Sequence, residues 1–273
     1  MELQEEFVAG LSAHWQTHLA GVGAVDCTDG VLRLSKERTT AQTYSNAQID
    51  DYQGRTRRNF LWRPPLTLTV CARFSHSAAA LTGTAGFGFW NDPFLMTPGT
   101  RLPSLPRAIW FFYSSPPSNM QLARHVPGCG WKAATIDAWR APFLLLAPTA
   151  PVAIPLMRIG ALYRRLWPIA QRAIYVSEAL IPHSMTEWRT YCIEWGETTA
   201  RFRIDGETVL HCTTPPRGPL GLVIWIDNQY MVVTPWGAFR SGLVASAQRE
   251  WMEIERIRVS GVDGRPRTND EHG

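Results

Sequence analysis

The sequence predicts an all-β fold, a sandwich of two antiparallel sheets carrying one helical insertion. Three observations carry that prediction. Apolar and polar residues alternate with period two through most of the chain after Val31. The alternating runs are short and are separated by Gly, Pro, Asn and Ser. The 273 residues also include 12 Trp and 20 Pro, a composition of β-sandwiches whose aromatics either fill the core or stack on a flat ligand.

The elements follow in order. Residues 1–20 are read as an N-terminal helix, because Phe7, Leu11, Trp15 and Leu19 recur at spacings of four. Strand candidates then cover 31–34, 41–52, 66–74, 86–90 and 107–114. Later ones cover 131–139, 188–195, 200–204, 207–212, 220–227 and 251–259. The clearest hairpin flanks Asp205-Gly206, since Asp-Gly accepts the positive φ of a tight turn. Residues 142–182 break the pattern. Their segment "PLMRIGALYRRLWPIAQRAIYVSEAL" is helical in period, with Leu156, Ile159, Leu162, Leu166 and Ile169 on one side and a kink expected at Pro168. This insertion is either a helix covering the core or a lid over a site. Residues 1–260 thus read as one domain, followed by a polar tail over 261–273.

Composition narrows the function classes. Apolar residues make up 45% and charged residues 18%, the balance of a globular chain. A net charge of +4, with only Arg55, Arg57 and Arg58 clustered, argues against nucleic acid as a partner. Five Cys with no close pair argue against a disulfide framework or a zinc ribbon. The N-terminus is acidic and lacks a continuous apolar run, which leads us to expect a cytoplasmic protein with reduced thiols. No segment has the length of a membrane span, so no membrane partner is expected. Of the 7 His, only His14 and His18 have metal-like spacing, and a surface helix explains them as well. No metal site and no cofactor are expected.

Several segments carry a resemblance. They are "WRTYCIEWGETTARFRIDGETVLH" (188–211), "REWMEIERIRV" (249–259), "LTLTVCARFS" followed by "GTAGFGFW", and "PLGLVIWIDNQY" (219–230). In this order they resemble the concanavalin A-like jelly roll of the family 16 glycoside hydrolases, the laminarinase and lichenase type, over roughly residues 30–260 without the insertion. The resemblance implies a concave cleft, a glycan ligand and room for a structural calcium ion. It also implies a Glu-x-Asp-x-x-Glu strand downstream of the Trp-terminated one. The strand in that place, "RAIWFFYSS" (107–115), presents Ala108, Trp110 and Phe112 on one face and Ile109, Phe111 and Tyr113 on the other. A retaining glycosidase needs two carboxylates about 5–5.5 Å apart, and this strand offers none. "QIDDYQ" (48–53) has related spacing around Asp50, but amides replace both acids and it lies upstream.

Alternation sorts the remaining candidates by face. Gly86, Gly88, Trp90 and Asp92 share one, as do Gly221, Val223, Trp225 and Asp227. Thr135, Asp137 and Trp139 fall together, as do Asn46, Gln48 and Asp50. One face therefore repeats a Trp-plus-Asp theme. It is either a ligand cleft or a surface where Trp covers the helix and Asp caps turns. Expected ligand contacts are Trp90, Trp110, Asp137, Trp225, Asn228, Tyr230, Trp236 and Gln48. Two functions follow. The first is binding of a carbohydrate or glycosylated small molecule without the usual glycosidase machinery. The second is an intracellular acid/base enzyme of secondary metabolism, a cyclase, isomerase or hydrolase, acting on an apolar small molecule through Asp92, Asp227 or Asp50. Two close aspartates would raise one pKa, and Asp92 with Asp227 is the expected pair.

Overall fold

The computed structural model describes residues 2–97 and 101–261. The chain begins with β1 (Leu3–Glu5), β2 (Gln16–Ala20), β3 (Gly23–Thr28), β4 (Val31–Lys36) and β5 (Asn46–Asp50). Next come β6 (Leu66–Phe74), β7 (Thr84–Trp90), β8 (Arg107–Ser114) and β9 (Gly130–Asp137). The helical segment holds α1 (Ala141–Leu146), α2 (Ala150–Leu156) and α3 (Gly160–Ala173). It leads into β10 (Ser177–Leu180), β11 (Arg189–Trp195), β12 (Ala200–Ile204), β13 (Glu207–Cys212) and β14 (Gly221–Asp227). The chain closes with β15 (Gln229–Val233), β16 (Phe239–Leu243) and β17 (Glu250–Gly261).

Two antiparallel sheets face each other. One runs β13-β12-β11-β6-β17-β4-β3, with β1 also paired to β17; the other runs β10-β9-β8-β7-β14-β5-β2. Side-chain alternation places Phe87 and Phe89 of β7, Phe111 and Tyr113 of β8, and Leu222 and Ile224 of β14 in the core between them. The opposing sheet contributes Leu68, Val70, Tyr191, Ile193 and Phe202 to the same core. In β17 the inward positions change parity, from Met252 and Ile254 to Ile257 and Val259. A register shift between Ile254 and Arg256 explains this, because one extra residue returns the apolar side to the core. The expected Asp205-Gly206 hairpin forms with φ of 50° and 87°, and Asp29-Gly30 makes a second turn of the same chemistry between β3 and β4.

The first twenty residues differ from the expectation. They form no helix: β1 pairs Leu3 with Val259, and β2 pairs Leu19 with Ala47. Phe7 and Trp15 are buried in the main core, while Leu19 is about half exposed. The spacing of four came from separate pieces that cap sheet edges, and tertiary pairing overrode local helix preference. His14 consequently lies in a turn beside Asp51, at 3.5 Å, and His18 on an edge strand. The polar tail over 262–273 falls outside the described residues.

Within 142–182 the helices form, but β10 at its end extends the sheet. The buried side of α3 is not the expected one. Trp167 and Ile174 are buried with Met157, and Tyr163, Leu166 and Ala170 pack beside them, an i, i+3, i+4, i+7 stripe. Leu156, Ile159 and Ile169 stay exposed. The α3 helix runs through Pro168 as one element.

A buried ion pair ties the sheets together where β7 begins. Lys36 of β4 is fully buried and lies 2.8 Å from Glu250 of β17. Its Nζ also donates to the Thr82 carbonyl at 2.6 Å, and Thr82 donates its N–H and hydroxyl to Glu250 at 2.9 and 2.7 Å. Removing one partner of such a pair strands a buried charge. Lys36→Met is therefore expected to lower stability by about 3–5 kcal/mol, and Lys36→Met with Glu250→Gln by clearly less. Urea unfolding of the two variants measures this; equal losses would deny the ion pair its role.

Candidate functional site

The outward side of the seven-stranded sheet forms an aromatic cleft, and glycine makes it possible. Register places Gly86 between Trp225 and Phe112, and Gly88 between Val223 and Trp110. A Cβ at Gly86 would lie 2.3 Å from the Phe111 carbonyl oxygen, and one at Gly88 (φ 146°) 2.5 Å from that of Ile109. With no side chains at the centre of β7, the neighbouring rings gather over it. Trp90 and Trp225 are stacked 6.4 Å apart with planes 6° from parallel. Trp110 lies 5.6 Å from Trp90, 5.4 Å from Trp225 and 5.3 Å from Phe112. Two indoles are pinned: Trp90 donates to the Tyr52 hydroxyl at 2.8 Å and Trp225 to Thr84 Oγ1 at 2.9 Å.

Above this floor lies a cavity of about 220 Å³. Its walls are mainly apolar, from Met96, Met120, Leu122, Ile136, Val176, Met231 and Val233. Polar groups reach it at one end, through Tyr44, Gln48, Asp227, Gln229 and Tyr230, at a far edge, through Lys132 and Glu178, and at the opposite end of the strands, through Arg107. Lys132 Nζ and Glu178 lie 3.2 Å apart and both are buried. Burial raises the Glu178 carboxyl above its ordinary range, against the pull of Lys132 and of the Ala123 N–H.

Asp227 is the carboxylate that the cleft receives from the expected set. Its Oδ1 accepts from the Thr84 N–H at 3.1 Å, the Thr84 hydroxyl at 2.8 Å and the Gln229 N–H at 2.9 Å. Burial nevertheless pushes its pKa up to about 6, with those donors and Lys36 opposing. Gln48, Trp90, Trp110 and Trp225 join it on the cleft wall, on the face that alternation gives them, and Tyr230 does so from the hairpin that follows.

The other candidates are placed elsewhere. Asp92 does not meet Asp227. Thr84 and Trp90 pair with opposite ends of β14, so the two aspartates lie on the order of 20 Å apart along the strands. Asp92 turns away from the cleft at φ 44° and holds its own loop. It binds Arg101 at 2.7 Å, Thr97 Oγ1 at 2.5 Å and the Met96 N–H at 2.8 Å, while Arg57 clamps its carbonyl at 2.6 Å. Asp50 is fully buried among Gln48, Gln53 and the Tyr52 and Gln53 N–H groups. Burial raises its pKa too.

Asp137 is buried between Arg107 at 3.0 Å and Arg140 at 2.7 Å, joining β9 to α1. Its parity follows Trp131 and Ala133 into the core side, so Lys132 and Ala134 face the cleft instead. Asn228 fastens the loop that precedes β5, donating to the Thr40 and Thr43 carbonyls at 3.0 Å. Trp236 packs edge-on against Tyr163 of α3 at 5.5 Å.

Tyr44, Lys132 and Glu178 line the cleft without having been singled out in the sequence. The signal for Lys132 was its pairing opposite Phe112, a fact of tertiary register. Asp227 and Glu178 sit four strands apart, on the order of 20 Å by strand spacing. Neither this pair nor Asp92 with Asp227 approaches the separations of about 5–10 Å that glycosidase pairs use. Among the described residues, no group of three or more His, Cys, Asp or Glu side chains is placed to hold a metal ion.

No family model and no curated protein matches the chain by sequence. Its structure is similar to a prokaryotic β-1,3-1,4-glucanase (lichenase) derived from a mouse hindgut metagenome. The identity is 11% and the TM-score 0.51, over 96% of this chain and 99% of that one. It is similar to the carbohydrate recognition domain of Emp47p, at 11% identity and TM-score 0.51, over 96% and 95% of the two chains. A GlcNAcα1-4Gal-releasing endo-β-galactosidase from Clostridium perfringens is 15% identical at TM-score 0.54, over 97% of this chain and 62% of that one. The likeness is one of fold. The chain is a concanavalin A-like jelly roll, as its hairpin and closing-strand motifs implied.

Two consequences can be measured. Gly88→Ala would force a Cβ against the β8 backbone, and a loss of about 1–3 kcal/mol or more is expected. The near-UV circular dichroism of the indole cluster should weaken with it; an unchanged signal would mean that β7 does not set the ring geometry. Asp227 gives a pH test. A carboxyl whose pKa is raised from 3.8 to about 6 on folding keeps its proton more tightly folded than unfolded, so stability falls as pH rises through that window. Relative to Asp227→Asn, the parent should lose roughly 3 kcal/mol between about pH 4 and pH 7. Parallel unfolding curves across that range would contradict the burial of this charge.

Proposed function

We propose that this protein binds a small glycoside, a sugar carrying an apolar group, in the aromatic cleft. The observation that supports this most directly is the four-ring floor of Trp90, Trp110, Phe112 and Trp225 under walls that are mainly apolar, with a group of polar side chains around Asp227. Flat aromatic rings suit the C–H faces of a pyranose, and Gln48, Asp227, Gln229 and Tyr44 suit its hydroxyls. The methionine, leucine and valine walls suit an apolar aglycone. A cavity of about 220 Å³ lies below the roughly 300–1,000 Å³ of drug-sized sites, which favours one or two rings over a long glycan chain. Among the fold neighbours, a glucanase and a carbohydrate recognition domain are in keeping with a sugar ligand.

A second reading rests on Asp227. A carboxyl with a pKa of about 6 facing an apolar cavity can hold or release a proton near neutral pH, as a general acid or base requires. On this reading the protein isomerises, cyclises or hydrolyses a small apolar substrate, with Asp227 moving the proton.

Calorimetry with a panel of aryl and alkyl glycosides tests both readings. Trp110 is only partly buried, so Trp110→Ala should leave the fold intact while weakening binding about tenfold, near 1.4 kcal/mol. Asp227→Asn should preserve binding to within a few-fold if the site only binds, and should abolish turnover of any converted ligand if it catalyses. Binding that ignores Trp110→Ala would remove the aromatic floor from the ligand site.

A further inference from the structure

Outside the cleft, the helical segment has a surface that neither the core nor the cleft uses. Between Asp137 and Glu178 the chain contains no acidic residue and five arginines, Arg140, Arg158, Arg164, Arg165 and Arg172. Arg140 is committed to Asp137. The other four are exposed, and no ion pair involves them among the described residues. From 141 to 157 there is no charged residue at all.

That uncharged stretch would be ordinary if it were buried, and it is not. Phe143 and Met157 turn into the cluster around Trp167, whereas Leu145 is 79% exposed, Val152 67% and Ile159 56%. Leu144, Ile154 and Leu156 are exposed as well. Prolines at 142, 148, 151 and 155 keep these turns short, and no helix among the described residues is long and apolar enough to cross a membrane. On α3 the charges lie alongside the apolar residues: exposed Ile169 has Arg165 four residues before it and Arg172 three residues after, the same helix face.

We infer that α1, α2 and the outer face of α3 form a docking surface for an anionic lipid bilayer. Exposed aliphatic side chains enter the boundary between headgroups and acyl chains, and unpaired arginines around them meet lipid phosphates. Arginine suits this role because its planar fork pairs with phosphate in two hydrogen bonds. The charge pattern selects the partner. A second copy of this chain would set four unpaired arginines against four others, and an acid-free segment of net positive charge is complementary to an anionic surface. A membrane span is not required for such binding. The inference stands independently of which ligand the cleft takes.

Flotation of the full chain with mixed phosphatidylcholine–phosphatidylserine vesicles, against pure phosphatidylcholine vesicles, is the test. Binding to the mixed vesicles that falls with added salt is expected. Leu145→Glu with Val152→Glu, both exposed positions, should reduce it more than about tenfold, and so should exchanging Arg158, Arg164, Arg165 and Arg172 for Gln. Near-UV circular dichroism confirms that the variants keep the parent fold. No binding to the mixed vesicles would overturn the inference, as would binding that both variants leave unchanged. A self-associating chain whose oligomer is dissolved by the Leu145 and Val152 changes would equally overturn it, since a second copy would then be the occupant.

Discussion

The cleft depends on an absence of side chains. At the centre of the seven-stranded sheet, β7 presents Gly86 and Gly88 outward, and both positions are too close to the β8 backbone for a Cβ. A sheet normally covers its own backbone with side chains from every strand. Here the covering comes sideways, from Trp225 on one neighbour and Trp110 and Phe112 on the other. The rings approach one another to 5.3–5.9 Å in adjacent pairs, because nothing between them stands up from β7. An edge-offset cluster of this kind adds roughly 0.5–1.5 kcal/mol per pair beyond burial. Its cost is a broad apolar face that a closed core would otherwise have absorbed, and that face is the floor of the cavity.

The same strands decide what happens to the carboxylates. Asp92, Asp137 and Asp50 are each fully buried, and each is surrounded by donors on both carboxylate oxygens. Two of them face arginines, so their charge is spent on geometry: Arg101 pairs with Asp92, and Arg107 and Arg140 with Asp137 join the sheet to the helices. Asp227 has three donors on a single oxygen and no arginine. Desolvation therefore dominates its environment, and its proton is held to about pH 6. A buried carboxyl with an incomplete donor shell, beside a cavity, is where reactive or ligand-binding carboxylates are found.

The sequence was legible wherever a strand was long, regular and covered on both faces. The split of β7, β8 and β14 into aromatic-outward and apolar-inward faces follows from alternation alone, and it placed Trp90, Trp110, Trp225 and Asp227 on the cleft side, as alternation in β5 placed Gln48. It failed where a strand ended or its neighbour set the parity. Asp92 lies past the end of β7, where a left-handed turn reverses its direction. Asp137 shares its parity with Trp131, a core residue, so assigning it to the Trp-plus-Asp face reversed β9. Glu178 was hidden because β10 follows the helices directly and reads as their continuation. The first twenty residues mimicked a helix because edge strands joined by turns can bury residues at any spacing. The hairpin and closing strand that carried the jelly-roll resemblance sit in the other sheet, which is why the fold was legible without the site.

The helical segment and the cleft share a wall, and this links the two outward-facing features of the molecule. Leu122 and Val176 line the cavity on one side and pack against the Trp167 cluster on the other. Trp167 also donates its indole N–H to the Leu122 carbonyl at 2.7 Å, and Tyr163 packs against Trp236 in the turn between β15 and β16. Any force that moves α3 must therefore move residues that line the cavity. Conversely, a ligand that displaces Leu122 or Val176 acts directly on the packing that supports α3. The exposed face of the helices and the aromatic floor are thus separated by a single shared layer of side chains, Leu122 and Val176.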